Sequence, residues 1–132
     1  MSVSNKNTLY LNGFIYGGYG LFTLFAPKLF TSIYFKSDVP MNDEVYNAWQ
    51  FCGTQYLVIS ALNFAVARNG TKAIQKAVCS GVAMGCTLGL GIMINNNYKE
   101  RSDAPIWYQV IALYVGLGAI NAYFAFFQKD EK

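Results

Sequence analysis

Charge in this 132-residue chain is confined to five short clusters, and the stretches between them carry none. Residues 7–27, 45–67, 77–98 and 104–128 form uncharged windows of 21, 23, 22 and 25 residues. An α-helix rises about 1.5 Å per residue, so about 20 residues cross a hydrocarbon core ~30 Å thick. Four such windows in so short a chain predict an all-α fold. The expectation is a polytopic four-helix transmembrane bundle forming one domain over residues 1–132, with spans near 8–26, 45–67, 73–95 and 105–127.

Composition agrees with that reading. Charged residues make up 13% of the chain, about half the usual share. The mean hydropathy of +0.24 is low for a membrane protein because ten Tyr and many Asn residues depress it. A soluble bundle needs a polar stripe along each helix, and residues 77–94 show none at any helical phase. The net charge of +3 is scattered over loops and tails without interleaved stacking aromatics, which argues against nucleic acid. Cys52, Cys79 and Cys86 all fall inside predicted spans, and no CxxC pair occurs. Cys79 and Cys86 share a helix face about 10 Å apart, too far to bridge. They read as small buried hydrophobes, and no metal site is expected. The first apolar run is too long for a signal peptide and lacks a small-residue cleavage pattern, so it reads as a retained anchor.

Helix boundaries follow from the breakers. Helix one is expected from Thr8 to Ala26, stopped by Pro27. Residues 27–35 read as an interfacial segment with Leu29, Phe30, Ile33 and Tyr34 toward lipid and Lys28 and Lys36 toward water. Asn42 or Asp43 caps the second helix, and Gly70 is expected to take a positive φ in the turn Arg68-Asn69-Gly70-Thr71. The third helix breaks at Asn95-Asn96-Asn97, and Ser102 or Asp103 caps the fourth, with Pro105 in its first turn. Lys6, Arg68, Lys72, Lys76, Lys129 and Lys132 fall on one side, against Lys28, Lys36, Lys99 and Arg101 on the other. That bias puts both termini on the cytosolic, stromal or matrix side. Trp49, Trp107 and Tyr108, with Tyr46 and Tyr98, are then interfacial anchors at the opposite surface. An organelle inner membrane, a thylakoid and the endoplasmic reticulum are not distinguished.

The densest local pattern is a row of small residues at every fourth position: Ala73, Ala77, Gly81, Gly85 and Gly89. Small residues at this spacing let membrane helices approach closely. Shorter rows are Gly13/Gly17 and Ala112/Gly116 with Gly118/Ala122. Packing within the bundle is the ordinary role, and a docking face for another integral membrane subunit is the functional one. A second set is amides and hydroxyls at membrane depth: Asn12, Gln50, Thr54, Gln55, Ser60, Asn63, Thr87 and Asn121. Inter-helix hydrogen bonding is their default. Gln50, Gln55, Asn63 and Asn121 are also candidate contacts for a pigment, since magnesium prefers oxygen ligands and the chain has no His.

The stretch Ala48-Trp49-Gln50-Phe51-Cys52-Gly53-Thr54, followed by residues 57–67, is similar to the second span of several small four-helix membrane families, one of them a sterol-biosynthesis scaffold family. The likeness covers about a sixth of the chain. That family's charged and histidine positions are missing, so no assignment is built on it.

No Asp, Glu, Lys, Arg or His lies inside the four uncharged windows, which removes from them the groups that proton relays and acid–base enzymes use. The expected function is therefore non-catalytic: an accessory, scaffold or assembly subunit of a larger energy-transducing or biosynthetic membrane complex, in contact with membrane lipids. The alternative is a pigment- or lipid-binding module holding lipid or chlorophyll. A small transporter is third.

Overall fold

In a computed structural model describing residues 4–96 and 98–128, the chain is all-helical. Six helices follow one another: α1 (Asn5–Phe25), α2 (Pro27–Tyr34), α3 (Asp43–Asn69), α4 (Lys72–Asn95), α5 (Tyr98–Arg101) and α6 (Ala104–Ala122). A π-helical turn, Tyr123–Phe127, continues α6. Asn97 and the tail Lys129-Asp130-Glu131-Lys132, which entered the reading of the third helix's end and of orientation, lie outside the described residues.

Capping chemistry sets the starts. The Val45 N–H donates to Asn42 Oδ1 at 3.0 Å, and Asp43 and Glu44 occupy the first turn of α3, where the helix dipole favours negative charge. Thr71 caps α4 through the Ile74 N–H. Helix α1 starts earlier than expected, at Asn5, because Ser4 accepts from the Asn7 N–H. Asp103 stands at the N-cap of α6 without a side-chain capping bond, while the Ser102 hydroxyl donates to the Tyr98 carbonyl. Gly70 corrects an expectation: its φ is −76°. What excludes a side chain there is space, since a Cβ would stand 2.6 Å from the Val66 carbonyl oxygen.

Two of the helical stretches, Lys72–Asn95 and Ala104–Phe127, are long and apolar enough to cross a membrane. Helices α1 and α3 have the length, at 21 and 27 residues, but carry more polar side chains. The long helices pair as α1 with α3 and α4 with α6, and α1 meets α4 along the seam between the pairs. The α1–α3 contact is backbone-close. A Cβ on Gly53 would lie 2.8 Å from the Leu24 nitrogen and 2.9 Å from the Gly20 oxygen. Gly13 and Gly17 receive the Phe64 ring and the Ser60 hydroxyl.

Helix α2 differs from its expected orientation. Phe30 is 5% exposed and Tyr34 half-buried; only Leu29 and Ile33 face outward. The Phe30 ring stacks on Tyr34 at 4.5 Å between centroids and meets Trp49 at 4.9 Å. Aromatic pairing with α1 and α3 outweighs the simple amphipathic split, because these rings bury more area against each other than against a surface.

Candidate functional site: an amide knot and an aromatic cavity

Two features occupy the interior. Near the chain-terminal end of the long helices, Asn12, Asn63 and Asn121 are each 0% exposed. Asn12 Nδ2 donates to Asn121 Oδ1 at 2.8 Å and to Asn63 Oδ1 at 3.3 Å. Asn121 Nδ2 returns a bond to Asn12 Oδ1 at 3.0 Å and donates to the Leu117 carbonyl at 2.8 Å. Asn63 Nδ2 donates to the Ile59 carbonyl at 2.8 Å. Three helices that are far apart in sequence are thereby tied at one level. All three side-chain oxygens accept within the knot, so Asn63 and Asn121 both turn toward Asn12 of α1 and present no exposed oxygen to a ring metal.

One turn beyond the knot a cavity of about 300 Å³ opens between the helix pairs. Every helix contributes to its wall. Its inner end is formed by Ile15, Tyr16, Cys86 and Leu117, and its outer end by Tyr34, Phe35, Trp49, Asn96, Tyr98 and Arg101. From Cys86 to Asn96 it follows α4 for ten residues, about 15 Å of rise. Its volume lies at the lower edge of the ~300–1,000 Å³ usual for small-molecule pockets. Six tyrosines line it, Tyr16, Tyr19, Tyr34, Tyr56, Tyr98 and Tyr114.

The outer end is braced. The Tyr98 hydroxyl donates to the Tyr34 carbonyl at 3.2 Å, and the Lys36 N–H donates to the Arg101 carbonyl at 2.9 Å. Two segments that are far apart in sequence thus hold each other across the mouth. Burial, reinforced by the neighbouring Tyr34 and Tyr114, pushes the Tyr98 phenol up to about 12, against a small opposing pull from Ser102. Among the described residues, Arg101 is the sole charged side chain lining the cavity, and no carboxylate lines it. The described wall offers ring faces, hydroxyls and one cation.

The remaining expected sites are dispersed. Gln50 Nε2 donates to the Leu24 carbonyl at 3.1 Å, joining α3 to α1, whereas Gln55 is exposed. Ala77, Gly81 and Gly85 lie on the outer face of α4, and a Cβ on Gly81, Gly85 or Gly116 would meet nothing within 4 Å. The small-residue row thus packs within the chain only at Gly89, which the Tyr114 ring covers. The row faces outward because the inner face of α4 is carried by Cys79, Val82, Ala83 and Cys86. Trp49 and Trp107 are half-buried against Phe30 and Tyr98, and Tyr108 alone of the three anchors is exposed. Sequence reasoning missed Gly20 and Gly53, whose backbones touch, and the cavity itself. The signal for the cavity was the run of tyrosines on the inward faces of α1, α3 and α6. No protein-family model matches the chain, and neither a curated protein nor a solved structure is similar to it.

Proposed function

We propose that the chain is a four-pass membrane protein that holds one apolar or amphipathic molecule from the bilayer in its aromatic cavity, without catalysing a reaction. The observation carrying this reading is the cavity: lined by all six helices, walled by rings, and without an acid–base pair among the described residues. Support for four spans comes from the outer surface. Large apolar side chains project from each long helix, including Phe14 at 71% exposure, Phe51 at 66%, Met84 and Val115. Contiguous apolar surface on this scale is rare on a water-soluble monomer. The polar residues that lower the hydropathy of α1 and α3 include Asn12, Ser60 and Asn63, which turn inward. The lipid-facing sides of these helices are therefore more apolar than their sequences average.

Purification in mild detergent, followed by solvent extraction and mass spectrometry, tests the ligand reading. A lipid-like molecule near one per chain is expected; an empty protein, still helical, refutes it. An absorption spectrum separates pigment from colourless lipid.

A second reading, the accessory subunit of a larger membrane complex, draws on a different surface. Gln55 is exposed near the middle of α3, and Gly81 and Gly85 form an open strip on α4. An amide without a partner at membrane depth is costly, and a small-residue strip admits a second helix closely. Stoichiometric co-purification of a membrane partner, lost in Gln55→Leu or Gly85→Leu, would favour this role.

A further inference from the structure

We propose that the cavity selects an anionic amphiphile, with a carboxylate or phosphate head against Arg101 and a hydrocarbon body reaching toward Cys86 and Leu117. The inference rests on the ligand-binding reading above and goes beyond it by naming the chemical class.

The wall is polarised along its length. Arg101 lines the outer end and is exposed there, and its side chain has no ion-pair or hydrogen-bond partner among the described residues. Asn96 stands at the same end and adds an amide donor. Hydroxyls near the mouth are already engaged: Tyr98 with the Tyr34 carbonyl, and Tyr34 with Tyr19 at 3.1 Å. A neutral head group would leave the guanidinium without a counter-charge, whereas an anion gains a charge-assisted, two-pronged contact. Inward from Arg101 the lining includes the apolar Ile92, Met93, Val110 and Leu113, together with the rings of Tyr19 and Tyr16. Charge at the water boundary and hydrocarbon toward the bilayer centre is also how a single-chain amphiphile lies in its own leaflet. Such a molecule enters the cavity without turning over. About 300 Å³ fits one slim chain better than a two-chain phospholipid.

Trp49 lines the outer end and supplies the reporter. In a Trp107→Phe background it is the only tryptophan of the chain. The protein, in phosphatidylcholine nanodiscs, is titrated with dibrominated stearate, with a dibrominated long-chain alkyl phosphate and with the matching brominated alcohol, each of which quenches a neighbouring indole. Saturable quenching by the two anions is expected, about tenfold weaker for the alcohol, which corresponds to about 1.4 kcal/mol. Arg101→Gln should weaken anion binding about tenfold and leave the alcohol unchanged, and Arg101→Lys should restore most of the loss. The backbone bond from Lys36 to the Arg101 carbonyl survives either substitution, and helical content by circular dichroism verifies that the fold is kept. Relative strength of the carboxylate and the phosphate tells a fatty-acid ligand from a phosphorylated one, and either supports the proposal. Equal binding of anions and alcohol, indifferent to Arg101→Gln, overturns the anionic class while leaving the cavity reading intact. Absence of saturable quenching by any probe, or quenching that persists in the cavity-filling Cys86→Phe, overturns both.

Discussion

Replacing Asn12 by alanine removes three inter-helix hydrogen bonds at once: those at 2.8 and 3.0 Å with Asn121 and the 3.3 Å bond to Asn63. Measured inter-helix hydrogen bonds in membranes average about 0.6 kcal/mol, which gives about 2 kcal/mol for the set. Asn121→Ala removes two of them and so costs about 1 kcal/mol. Asn63→Ala removes only the long one, and its cost should stay near about 0.6 kcal/mol. The sharper quantity is the coupling. Once Asn12 is gone, Asn121 has no reciprocal partner left to lose, so the double variant Asn12→Ala/Asn121→Ala should cost about 1 kcal/mol less than the two singles summed. Reversible unfolding in mixed micelles, followed by far-ultraviolet circular dichroism, measures the four variants against the parent chain. Additivity to within ~0.5 kcal/mol would show that the amide pair is not a coupled unit. A cost for Asn63→Ala above that of Asn12→Ala would refute the ranking by bond geometry.

Gly53→Ala places a Cβ against the backbone of Leu24 and Gly20 and should destabilise the α1–α3 pair by about 1–3 kcal/mol, whereas Gly81→Ala, with open space around it, should leave unfolding unchanged. Gly85→Leu should likewise leave the isolated chain's stability intact; a large loss would mean that this strip packs inside the unit after all. Gln55→Leu should raise stability in detergent or leave it unchanged, and a marked loss would point to a partner for that amide within the chain. Because the folded state holds the Tyr98 phenol up to about 12, from an ordinary 10.0, its proton favours folding below pH 10. That contribution declines as pH rises from about 10 through about 12, and Tyr98→Phe should flatten the decline in a pH series of unfolding midpoints.

How far the sequence reaches is clear from particular residues. Some helix ends were legible because caps and breakers are local: Asn42 and Pro27 act within a turn of where they stand. Helical character was legible too, since the uncharged windows coincide with α1, α3, α4 and α6. The inward side of each helix was not. The spacing of Gly81 and Gly85 defines a face, but periodicity does not say whether that face meets a neighbour or the outside. In α2, Leu29 and Phe30 are equally apolar, and only the presence of Trp49 from α3 decides that Phe30 is the one covered. Amides at 12, 63 and 121 were visible as a polar set at depth. Their partnership depends on separations of 51 and 109 residues, which no local pattern encodes. The cavity was least legible, because a void is defined by side chains from six elements at once.

The amide knot also imposes a calendar on the chain. Domains take shape from the N-terminus as synthesis proceeds, and Asn12, on α1, is made before either of its partners. Its first possible companion, Asn63, arrives with α3, while Asn121 is made only in the last turns of α6. Until then Asn12 has one long bond where the finished protein gives it three. A chain in which α6 has not docked therefore carries an under-satisfied amide on α1. Docking of α6 is thus registered chemically on α1, and a copy with α6 undocked differs from a folded one by the unmet hydrogen bonds of Asn12.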